Sequence, residues 1–164
     1  MTGSADPASL AEAWIAKAAG DLAAAKTLLQ ASVPQWTAAF HAHQCVEKCL
    51  KAVLVVLDRP FPMSHDIRGL VLLLPADLEL VIDRRIAAEL SESAVTGRYP
   101  GSEDPDPTLT RALVAEAQRV LDWVRGRLPR LRNSICISIV FVDATLITFS
   151  KAPSKRPRGH YDKL

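Results

Sequence analysis

Apolar residues recur every three or four positions through most of the first 130 residues, and proline, glycine or a capping acid brackets each run. The stretch from Trp36 to Leu57 is the clearest case. It contains no Gly or Pro, and Phe40, Val46, Leu50, Val53, Leu54 and Leu57 fall on one side of a helical wheel, with His43 among them. The opposite side carries His41, Gln44, Lys48 and Lys51, with Glu47 at the margin. One helix thus has an apolar face that needs a bundle and a compact polar stripe able to face a ligand.

The other elements follow from the same period. Asp6-Pro7 starts a first helix whose stripe is Leu10, Trp14, Ala18, Leu22, Ala25 and Leu29, stopped at Ser32-Val33-Pro34. Pro34 opens the second helix, and Pro60 and Pro62 forbid its continuation. Ser64-His65-Asp66 reads as the cap of a short third helix from Ile67 to Leu74, closed by Pro75. Asp77 is expected to begin a fourth helix through Leu80, Val81, Ile86, Ala87 and Leu90, fading near Val95. After the turn-rich TGRYPGSEDPDP, Asp106-Pro107 starts a fifth, with Leu109, Leu113, Ala117, Val120, Leu121, Val124 and Leu128 on its stripe. Short connections predict an all-α, up-and-down bundle of four to five helices over residues 7–132. Residues 133–164 break the pattern. ICISIVFVDATLITF is rich in β-branched residues and reads as a β-prone segment, and KAPSKRPRGHYDKL as a disordered basic tail.

Composition adds little to the fold and something to the setting. With 49% hydrophobic residues the chain can bury a core, and its net charge is only +2. The basic excess sits at the end, in Lys151, Lys155, Arg156, Arg158 and Lys163. The three cysteines, Cys45, Cys49 and Cys136, make no even disulfide framework, and no run is long enough to span a bilayer. The expectation is a cytoplasmic protein with reduced thiols and no membrane segment.

Among candidate sites, the stripe of His41, Gln44, Lys48 and Lys51 has two readings. It is an ordinary solvated face supported by a Glu47–Lys51 i, i+4 pair, or it is the wall of a cleft. In a cleft, Lys48 and Lys51 meet phosphate, Gln44 meets a base edge or ribose, and His41 bonds or shuttles a proton. Arg98 presents a planar fork suited to phosphate, and Tyr99 a ring on which a base stacks. His41, Cys45 and Cys49 lie at i, i+4 and i+8, but one straight helix does not aim three ligands at one point. No metal and no cofactor are expected. The cluster Arg125, Arg127, Arg130 and Arg132 reads first as cation capping of a helix C-terminus.

Four stretches in order resemble the HEPN family (higher eukaryotes and prokaryotes nucleotide-binding domains). WIAKAAGDLAAAKTLL is similar to the family's opening Trp-and-Asp-Leu helix. AAFHAHQCVEKCLKAVLV resembles its Phe-His-x-x-Gln-x-x-Glu-Lys-x-Leu-Lys element. FPMSHDIRGLVLLL resembles its Phe-Pro-x-x-His-Asp segment, and GRYPG its Arg-Tyr-Pro. The resemblance covers roughly residues 8–130. It implies a bundle of HEPN type, often a homodimer, working beside nucleotides or RNA. Some members partner minimal nucleotidyltransferases and others are ribonuclease toxins of toxin–antitoxin modules, the latter marked by Arg-x(4–6)-His. The match to that motif here, Arg59 to His65, crosses a proline-rich turn, which is the wrong context for it. The resemblance therefore implies a non-catalytic, nucleotide- or RNA-binding partner of a nucleotidyltransferase or antitoxin. The rival is a metal-independent endoribonuclease acting across a dimer cleft, with His41 and Arg98 as its pair.

Overall fold

The computed structural model describes residues 6–96, 99 and 101–142, with side chains to residue 131. Five helices follow in order: α1 (Pro7–Leu28), α2 (Gln35–Val56), α3 (Ile67–Leu72), α4 (Arg84–Ser93) and α5 (Pro107–Val142), with a 3-10 turn at Ala76–Leu78 before α4. The bundle is up-and-down. Gln118 of α5 meets Lys26 near the end of α1, so those two helices run antiparallel. Gln35 lies beside Asp104, and Cys45 beside Ala117, so α2 and α5 run parallel once α3 and α4 have carried the chain back.

Helix α2 is the central element. Of the face the wheel predicts, Val46, Leu50, Val53 and Leu54 are fully buried and Phe40 and Leu57 partly so, with Ala39 and Ala42 buried beside them. Small residues on α1 (Ala11, Ala18, Ala25) let it lie close to α2, and Leu113, Ala117, Val120, Leu121 and Val124 bring α5 against the other side. Each fully buried Leu or Val contributes about 2 kcal/mol of transfer free energy.

Caps explain most boundaries. The Asp6 carboxylate accepts from the Ser9 amide at the start of α1. Pro34 offers no side-chain cap to α2, and the cap comes from far along the chain. Both Asp104 carboxylate oxygens accept at 2.8 Å, one from the Gln35 amide and one from the Trp36 amide. At α3, Ser64 Oγ accepts from the Asp66 amide and Ser91 Oγ from the Ile67 amide.

Two expectations need correction. The fourth helix begins at Arg84, not at Asp77. Glu79 is left-handed (φ 56°) and ends the 3-10 turn, after which buried Leu80 and Ile82 flank exposed Val81 with period two. Asp83 then starts α4 by accepting from the Arg85 and Ile86 amides. The β-prone reading gives way at 133–142, where α5 continues to Val142. β-Branched residues cost a nucleated helix only a few tenths of a kcal/mol each, roughly, and a strand needs a partner that the described residues lack. The rest of the expected strand and the basic tail, 143–164, lie outside the described residues.

Candidate functional site

The polar side chains of α2 do not form one stripe. Because α1 covers one flank and the α2–α3 connection the other, they separate into two groups with different chemistry.

The first group faces α1. Asp21 lies within the apolar run of that helix and reaches across the groove. Its Oδ2 accepts from Lys48 Nζ at 2.7 Å, and its Oδ1 lies 3.1 Å from His41 Nδ1. Lys48 Nζ also donates to Gln44 Oε1 at 2.7 Å. These side chains are half-buried, with His41 33% exposed and both Asp21 and Lys48 17%. Asp21 balances the lysine charge and orients the imidazole, and Phe40 packs edge-on against the His41 ring.

The second group centres on Glu47, the residue expected at the stripe's margin. Its Oε2 takes His43 Nε2 and His65 Nδ1, both at 2.8 Å, and its Oε1 takes Lys51 Nζ at 2.6 Å. Burial pushes the Glu47 carboxyl upward, but the bonds from His43, Lys51 and His65 outweigh it and hold the group at about 2. Lys51 is 4% exposed, with Trp14 and Phe61 rings 5.9 and 5.7 Å from its ammonium. The solvated-face reading of the Glu47–Lys51 pair thus fails for a steric reason: Trp14 and the chain carrying Phe61 and His65 close over it. His43 is fully buried on the apolar side, as expected. Its Nε2 is bonded, and its Nδ1 has no partner among the described residues.

Of the expected site residues, then, the structure brings His41, Gln44 and Lys48 together and places Lys51 in the buried group. Tyr99 is 67% exposed, while Arg98 lies outside the described residues. Arg59 and His65, the pair with ribonuclease-like spacing, are engaged separately: Arg59 donates to the Leu73 carbonyl and His65 meets Glu47. The cysteines do not converge with His41. Cys45 and Cys49 are fully buried, with the Cys45 thiol against the Ala117 carbonyl. The neighbouring Cys45 thiol and burial push the Cys49 thiol well above its usual range. In the arginine cluster, Arg127 donates to the Leu78 carbonyl and lies over the Trp123 ring.

Sequence reasoning missed Asp21 as a partner and Glu47 as a centre. Each left a signal. Asp21 is an acid set directly before buried Leu22 in an Ala- and Leu-rich helix, and Glu47 has His43 and Lys51 one turn to either side of it.

Comparison with known proteins agrees with this architecture. The HEPN domain family profile matches residues 11–127. Among solved structures, TT1696 from Thermus thermophilus superposes with a TM-score of 0.62 at 23% identity, covering 71% of this chain and 97% of its own. ST0689, an archaeal HEPN homologue, gives 0.55 at 26% identity, covering 72% and 97%. A search of curated proteins returned no match.

Proposed function

The chain belongs to the HEPN domain family, and on that premise we propose that it is a nucleotide- or RNA-binding module that forms a homodimer and partners a minimal nucleotidyltransferase in a toxin–antitoxin-like system. The observation that carries the reading is the half-buried network of Asp21, His41, Gln44 and Lys48. Packing α1 against α2 does not call for four polar side chains in the groove, and polar groups withdrawn from water weaken a bundle unless they are paired. Here they are paired and still reachable. A phosphate competes with Asp21 for the Lys48 ammonium, Gln44 turns to a base edge or ribose, and the His41 ring meets the ligand at the solvent boundary. Lys51 has no direct part, because Glu47 and two aromatic rings hold it inside.

The test is calorimetric titration with AMP, ATP and a short single-stranded RNA, together with co-purification of a neighbour-encoded nucleotidyltransferase. Lys48→Met should weaken binding by roughly tenfold, the worth of one charged hydrogen bond. Absence of both nucleotide binding and a nucleotidyltransferase partner refutes the reading.

One observation favours a second reading, the metal-independent endoribonuclease. A neutral His41 that donates from Nδ1 to Asp21 presents Nε2 as the free ring nitrogen, the form needed for general acid–base work. RNA cleavage in EDTA that is lost in His41→Ala would support it. Unchanged cleavage in that variant would remove His41 from the mechanism.

A further inference from the structure

We propose that His43, Glu47 and His65 form a binding site for one divalent ion of the zinc class, separate from the Asp21–His41–Lys48 groove. Their candidate ligand atoms, one per residue, all lie within 4.8 Å of one another. Two ring nitrogens, His43 Nε2 and His65 Nδ1, approach the same carboxylate oxygen at 2.8 Å. Two imidazoles and one carboxylate, with a water in the fourth position, make a common open zinc set.

Unlike His41, Cys45 and Cys49, these residues come from two directions. His43 and Glu47 are one turn apart on α2, and His65 arrives from the connection before α3. Zinc–nitrogen bonds of about 2.0–2.1 Å place tetrahedral ligand atoms about 3.3 Å apart. The carboxylate contacts must therefore open slightly and the two nitrogens must settle at that spacing. His65, with a 55% exposed side chain, supplies this movement and leaves the open position toward solvent. The two α2 ligands are rigidly packed.

The chemistry balances. The Glu47 carboxylate already accepts from three nitrogen groups, so it faces the site as an acceptor. A neutral imidazole that donates to Glu47 shifts its proton to the other ring nitrogen when it coordinates. His65 then presents Nε2–H to solvent. Among the described residues His43 Nδ1 has no partner, so coordination through Nε2 creates no additional unpaired atom. Lys51 stays on Glu47 Oε1 as the outer partner of the ligating carboxylate.

The full-length chain, stripped with EDTA, should be titrated with Zn²⁺ by calorimetry and with Co²⁺ by visible absorption. The expected result is one ion per chain at micromolar affinity, with a tetrahedral cobalt spectrum free of thiolate charge-transfer bands. His65→Ala, placed at a half-exposed position so that the fold survives, should weaken binding at least tenfold. No stoichiometric binding by the parent chain, unchanged affinity in folded His65→Ala, or a thiolate cobalt spectrum overturns the proposal.

Discussion

Glu47→Gln tests how much of the bundle depends on one buried carboxylate. The substitution keeps the shape of the side chain and removes the charge on which His43, Lys51 and His65 converge. Two routes give its magnitude. The carboxyl moves from 4.5 to about 2 on folding, and at about 1.4 kcal/mol per unit that is worth roughly 3 kcal/mol. Removing one partner of a buried ion pair costs about 3–5 kcal/mol, and Lys51, 4% exposed, would be the charge left behind. The sign with pH follows from the direction of the shift. A carboxyl depressed in the folded state contributes fully above its unfolded value of about 4.5, and that contribution is lost as pH falls toward 2. Urea unfolding followed by circular dichroism at pH 7 and pH 3.5 measures both effects. Glu47→Gln should lose roughly 3 kcal/mol at pH 7. It should also lack the portion of acid destabilisation, roughly 1 kcal/mol by pH 3.5, that this group gives the parent chain. Glu47→Gln/Lys51→Met should recover part of the loss, because the stranded ammonium is gone. A loss below about 1 kcal/mol at pH 7, or an acid slope equal to the parent's, refutes the assignment of Glu47 as a buried charge centre.

Asp104→Ala removes the distant cap of α2 and should cost about 1 kcal/mol by thermal unfolding; no change would mean water satisfies those amides equally well. Arg127→Met removes the bond to the Leu78 carbonyl and the stack on Trp123, and should cost about 1 kcal/mol and speed amide exchange around the 3-10 turn. Loss of RNA affinity with unchanged stability would instead assign Arg127 to the ligand. Asp21→Asn frees Lys48 from its counter-charge. Under the proposed function it should tighten nucleotide binding and steepen its salt dependence, and weaker binding would show that Asp21 itself contacts the ligand.

The bundle was legible because helical period and caps are local. Asp6, Pro7, Asp106 and Pro107 mark two helix starts in the sequence, and both stand where expected. What escaped was long-range. Nothing near Pro34 announces that Asp104 caps α2 from across the fold, and nothing near Asp77 shows that Glu79 turns left-handed and delays α4. The segment 133–142 misled because β-branched composition is a weak local preference, and an existing helix overrides it when the described residues offer no strand to pair with. The site was half legible for the same reason. A helical wheel places His41, Gln44, Lys48 and Lys51 on one face, but it cannot show which neighbour covers each part. Trp14, Phe61 and His65 enclose Lys51, while Asp21 leaves His41 and Lys48 at the boundary with water.

The polar side of α2 divides into a buried charge centre at Glu47 and a half-buried groove at Asp21, His41 and Lys48, which we propose as the ligand site. Heteronuclear NMR titration with AMP and a short single-stranded RNA distinguishes the two regions. Saturable shifts are expected at Asp21, His41, Gln44 and Lys48, with Glu47 and Lys51 unmoved. Shifts centred on Glu47 and Lys51, or no shifts on α1 and α2 at saturating ligand, would contradict that proposal.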